Sequence, residues 1–182
     1  EYGSPTPGRL IGGGEARSWG TEIMLQKKLA HRLYGTASYS YSVSEYTDLT
    51  GEVRNRGFDN RHLLSLIVGY RPSDHWEYSL RWSFAGGRPY TPFDADLAAM
   101  LGTGIIQRDR INDERYPAYH RLDLRIDERK HYERFNIVSY FTLLNAYNRK
   151  NIFAYYWDED EQKTGRINQW SILPVGGFEI EF

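Results

Sequence analysis

The sequence predicts an all-β protein, an antiparallel transmembrane β-barrel segment of about seven strands. Three observations predict it. Apolar and polar residues alternate at period two in segment after segment. The links between those segments are short and long in turn. No stretch approaches the ~18 consecutive apolar residues of a membrane helix.

The first strand is expected over Trp19 to Lys28, with Trp19, Thr21, Ile23 and Leu25 on one face. The second runs from Leu33 to Val43, placing Leu33, Ala37, Tyr39, Tyr41 and Val43 opposite a serine-rich face on which Tyr34 is the one large aromatic. His62 to Arg71 follows, with Leu64, Leu66, Val68 and Tyr70 aligned. Trp76 to Phe84 carries the clearest pattern: Trp76, Tyr78, Leu80, Trp82 and Phe84 alternate with Glu77, Ser79, Arg81 and Ser83. In His120 to Asp127, Leu122, Leu124 and Ile126 oppose Arg121, Asp123, Arg125 and Asp127, a wet, ion-paired wall. Asn136 to Tyr147 is apolar on both faces, so its pattern does not choose a lipid side. Phe178 to Phe182 closes the set, with Glu179 and Glu181 between its apolar residues.

Short links fall at Ala30 to Arg32, Pro72 to His75 and Lys130 to Arg134; long polar links run over Thr47 to Arg61, Gly86 to Tyr116 and Asn148 to Asn168. Outer-membrane barrels have this sidedness, with tight periplasmic turns and long extracellular loops. One such strand alone would also suit a soluble β-sandwich; the recurrence favours the barrel.

Charge is nearly balanced, with 23 Lys and Arg against 24 Asp and Glu, so nothing points to nucleic acid. Cysteine is absent, which excludes a disulfide framework and thiolate metal sites. The 15 Tyr, 5 Trp and 17 Gly suit a barrel, whose polar inner faces offset its apolar outer ones in mean hydropathy. The sequence opens at Glu1 without initiator Met or apolar leader, and is read as lacking an amino-terminal part.

Several segments resemble the closing strands of TonB-dependent receptors. GTEIMLQKKLAHRLYGTASYSYSVSEY from Gly20 is similar to a hairpin of that family, and FDNRHLLSLIVGYRPSDHW, Phe58 to Trp76, to its Asp- and His-containing lead into an apolar strand. GRPYTP from Gly87 resembles the start of a long extracellular loop, YPAYHRLDLRID from Tyr116 the strand that returns from it, and LLNAYNRKN from Leu143 an Asn-x-aromatic-Asn segment near the penultimate strand's end. The resemblance covers nearly the whole chain. It implies the last third of a 22-stranded barrel, with the plug absent, and a terminal aromatic, Phe182, read by the barrel assembly machinery. It further implies the bacterial outer membrane, contact with its lipid, coupling to the TonB complex through the missing part, and active uptake of a scarce nutrient such as a metal chelate or cobalamin-like compound.

Loop aromatics Tyr90, Phe93, Tyr155, Tyr156 and Trp157 are the candidate ligand contacts, because rings offer large stacking area at low entropy cost; the competing role is girdle or loop packing. Glu77, Arg81, Arg121, Asp123, Arg125 and Asp127, with Glu179 and Glu181, are candidates to face lumen or plug, or to pair across neighbouring strands. No enzyme is expected, since no G-x-S-x-G or comparable element occurs. No cofactor or metal is expected either: the five His are scattered, and Asp158 to Glu161 reads as a solvated loop tip. Gly12 to Gly14 lacks the Lys-Ser/Thr of a phosphate loop. A passive porin, a small structural barrel or a barrel enzyme are the alternatives.

Overall fold

The computed structural model describes residues 14–182; Gly12 and Gly13 of the glycine run lie outside them. Its elements are β1 (Glu15–Ala30), β2 (Leu33–Thr47), β3 (Val53–Asn55), β4 (His62–Tyr70), β5 (Trp76–Ala85), β6 (Pro89–Tyr90), α1 (Ala95–Leu101), β7 (Glu114–Arg115), β8 (Tyr119–His131), β9 (Asn136–Leu144), β10 (Ile152–Asp158), β11 (Lys163–Asn168) and β12 (Leu173–Glu181). The seven expected strands are β1, β2, β4, β5, β8, β9 and β12. They form one antiparallel sheet in that order, with β3 added beside β2. Among the described residues the sheet is open: β1 and β12 are its two edges, and no closed barrel is formed.

Register turns the periodicity of each strand into two continuous faces, because residues directly opposite one another project to the same side. On one face, Val68, Leu80, Leu124 and Leu143 lie in a row across four strands, and Leu66, Trp82 and Leu122 in a row across three. Nearer the short turns the same face carries Tyr70, Tyr78, Ile126 and Phe141, then Trp76 and Phe178. Nearer the loops it carries Trp19, Tyr39, Tyr41 and Phe84. From Trp76 to Phe84 this band measures about 25 Å along the strand.

Pairing also settles β9. Phe141 stands opposite Ile126 and Tyr140 opposite Asp127. Ile137, Phe141 and Leu143 therefore share the apolar face, and Val138, Tyr140 and Thr142 the polar one. Period alone did not choose between them because both sets are largely apolar.

Few side chains are buried. Val43, Ala98, Val138 and Trp157 are the buried hydrophobic residues among those described, and of these only Val43 is on the apolar face. A single sheet without a second layer leaves that face open.

The short links are tight. His31 and Arg32, both at positive φ (53° and 66°), form a two-residue connection between β1 and β2, the backbone pattern of a type I′ hairpin turn. The long links carry structure of their own, not only loop: β3; β6, α1 and β7; and the β10–β11 hairpin. All three lie at the opposite end from the short turns. Asp94 caps α1 through a 3.0 Å bond from the Leu97 N–H, and Gly102 ends it in the left-handed conformation. Among the described residues, no helix is long and apolar enough to cross a membrane.

Candidate functional site: the polar face and the loop end

Glu77, Arg81, Arg121, Asp123, Arg125 and Asp127 all fall on the polar face, as their strand positions require. How they pair differs from expectation. Arg121 bonds Asp123 at 2.9 Å and Arg125 bonds Asp127 at 2.5 Å, along one strand rather than across two. Residues i and i+2 share a face, and an arginine is long enough to fold back onto its second neighbour. Arg81 stands opposite Asp123 without forming an ion pair among the described residues. Asp123 is already occupied: it accepts from Arg121 Nε and Nη2, and from the Asn145 N–H at 2.9 Å.

Toward the short turns, Glu77 takes Arg71 at 2.6 Å and the Tyr34 hydroxyl, while Arg125 lies 4.3 Å over the Tyr140 ring. Glu181 faces Arg129 at 3.7 Å. Apart from Tyr140, these groups line an open hollow of about 800 Å³ that is also bordered by His75, His131 and Glu179.

At the other end the long links are bound to each other. Asp59, 1 % exposed, accepts from the Ser44 N–H at 2.9 Å, from Arg61 at 2.8 Å and from Arg115 at 2.5 Å. Arg115 also reaches the Gly87 carbonyl at 3.0 Å, and Asn55 and Asn112 exchange side chain-to-backbone bonds. The link after β2 and the link after β5 are thereby one unit. A second centre is Asn145, also 1 % exposed, whose amide donates to the Arg149 carbonyl at 2.9 Å and accepts from the Arg149 N–H at 3.0 Å. Asn151 ties the same turn to the His120 backbone. Asn145 and Asn148 both have positive φ, which asparagine tolerates better than most residues.

The five loop aromatics separate into two groups. Tyr90 and Tyr155 pack with Tyr116 at ring separations of 4.6 to 4.9 Å, under Arg88, and Phe93 packs with Trp157 at 6.0 Å. These four hold β6 and the segment leading into α1 against β10. Burial and the 2.5 Å hydrogen bond to Glu114 push the Tyr90 phenol well above its ordinary value. Tyr156, in contrast, is exposed and lies over Gly165. Phe182 is fully exposed beyond β12.

Asp59, Arg115, Asn145 and Arg149 were not among the candidates, yet they anchor the loop end. Asp59 and Asn145 lie inside the FDNRH and LLNAYNRKN segments, where their side chains tie the loop backbone together. No protein-family model matches the chain, and no curated protein matches it.

Proposed function

We propose that this chain is the carboxy-terminal part of a TonB-dependent outer-membrane receptor barrel, and that the parent protein actively imports a scarce nutrient such as a metal chelate or cobalamin-like compound. The observation that carries the reading is the pair of faces. An apolar band about 25 Å long along the strands, with aromatics at both ends, is what a lipid bilayer covers in a barrel wall; in water it is a large uncompensated patch. Behind it stands a charged wall suited to a water-filled lumen or a plug. Structured links at one end and tight turns at the other give the wall a sidedness, with the loops outside the cell and the turns in the periplasm.

The free edges of β1 and β12 expose unpaired backbone groups, each costing several kcal/mol in lipid. Such edges favour incorporation in a larger barrel over a porin or structural barrel closed from these strands alone. Lipid, the barrel assembly machinery and the TonB complex, engaged by the parent receptor, are the partners in this reading. Of the five candidate aromatics, Tyr156 is the one exposed to meet a ligand.

The test is to express the gene in full, with its upstream reading frame, and to fractionate the envelope. The reading requires heat-modifiable protein in the outer membrane and a plug encoded upstream. Recovery in the soluble fraction without detergent would overturn it.

A further inference from the structure

We propose that His75 and His131 form a two-imidazole site for a divalent transition-metal ion at the turn end of the polar face. The inference stands on the local geometry and does not depend on the importer reading.

His75 lies in the turn before β5 and His131 at the end of β8, 56 positions apart in the chain. Pairing of β5 with β8 sets Trp76 opposite Glu128 and brings the two imidazoles to a ring separation of 5.7 Å. Two Nε2–metal bonds of about 2.0–2.1 Å at a tetrahedral angle hold ring centres about 5 Å apart. A side-chain adjustment of less than an ångström reaches that spacing.

The tautomers suit ligation. His75 Nδ1 lies 3.0 Å from the Arg129 carbonyl oxygen, which only accepts, so Nδ1 carries the proton. His131 Nδ1 lies 2.8 Å from Asn136 Oδ1, and Asn136 is oriented by its own Nδ2, which donates to Glu181 at 3.5 Å. His131 is therefore also protonated on Nδ1. Each ring keeps an Nε2 lone pair, and each is steadied through its other nitrogen by an oxygen, the arrangement that supports histidine ligands in metal sites.

Both rings border the open hollow, with Asp74 and Glu179 on its lining. Neither carboxylate makes an ion pair among the described residues, so water or one of them can complete the shell. No group of three ligating side chains is already gathered round one point among the described residues. The site is thus a two-nitrogen one with solvent-filled positions, and imidazole donors favour Cu²⁺, Ni²⁺ or Zn²⁺ over Mg²⁺ or Ca²⁺.

The experiment uses the full protein in detergent. Cu²⁺ added at one equivalent is expected to give an electron paramagnetic resonance spectrum with hyperfine structure from two imidazole nitrogens. Zn²⁺ titration by calorimetry is expected to show one site that H75Q and H131Q each weaken by about tenfold or more. N136A, which frees the His131 ring without removing a ligand, is expected to weaken it less than H131Q, while H31N, in the neighbouring turn, leaves it unchanged. Far-ultraviolet circular dichroism establishes that each variant is folded. A folded wild type lacking the two-nitrogen signal, or folded H75Q and H131Q that bind Zn²⁺ as the wild type does, would overturn the proposal.

Discussion

Tyr34 on β2 reaches across β4 to donate its hydroxyl to Glu77 on β5. The path is open because the residue opposite Tyr34 is Gly69, where any side chain would collide with the tyrosine ring. The same construction recurs where Tyr140 covers Gly177, whose added Cβ would meet the tyrosine hydroxyl at 2.8 Å, and where Tyr156 covers Gly165. In each case the aromatic supplies the packing that the glycine lacks.

Gly69→Ala is accordingly expected to expel the Tyr34 ring and destabilise the sheet by about 1–3 kcal/mol. Tyr34→Phe keeps the ring and loses only the bond to a carboxylate, about 1.5–3 kcal/mol. Urea unfolding of the two single variants and the double variant provides the check. Because both changes act on one contact, the double variant is expected to fall short of the sum of the singles; full additivity would mean that the tyrosine does not make this bridge.

Asp59 joins two long links through Arg61 and Arg115, with its carboxylate out of contact with water. Removing it leaves two guanidiniums facing each other near buried backbone, at a cost of about 3 kcal/mol or more. The loss is local to the loop end. Asp59→Ala is expected to make 47–61 and 86–116 susceptible to proteolysis while strand content by circular dichroism stays near wild type; equal protease resistance would count against the hub.

Asp48 opens the link after β2, and the Arg54 guanidinium, helped by Thr50, holds its carboxyl well below the ordinary value of 3.8. A depressed folded value means that the Asp48 contribution is fully present above that ordinary value and is lost as pH falls through the folded one. The β2–β3 tip is therefore expected to keep its amide protection on acidification from neutral pH to about 4 and to lose it only in stronger acid. Asp48→Asn removes this dependence. Hydrogen exchange at Thr50 and Glu52, whose N–H groups bond Asp48 at 2.8 and 3.0 Å, reads the change directly.

Exposure separates the loop aromatics into two experimental classes. Tyr90→Ala deletes a ring packed on Tyr116 and Tyr155, and is expected to cost about 3 kcal/mol in the manner of a large-to-small core change. Tyr156→Ala is expected to leave stability within about 1 kcal/mol of wild type and, on the importer reading, to lower affinity for the transported nutrient. Thermal melts and uptake assays of the pair distinguish packing from recognition; reduced stability without a change in uptake for Tyr156→Ala would assign that ring to packing as well.

The seven strands of the main sheet were legible in the amino-acid order alone, as were, for six of them, the side chains that share a face, because period-two alternation is a local property of the chain. That order also determined the sidedness of the connections, which follows from their lengths alone. Tertiary structure decided what depends on register. Pairing with β8 gave β9 its face, pairing of β2 with β4 placed Gly69 beneath Tyr34, and pairing of β5 with β8 brought His75 to His131 from distant positions in the chain. The ion pairs of β8 were within reach of sequence reasoning, since both partners lie two residues apart, but competition from the Asn145 N–H for Asp123 was not. The short elements of the long links were hidden for a further reason: they are held by single buried groups, Asp59 and Asn145, whose partners come from other links, and such contacts leave no periodic trace in the chain.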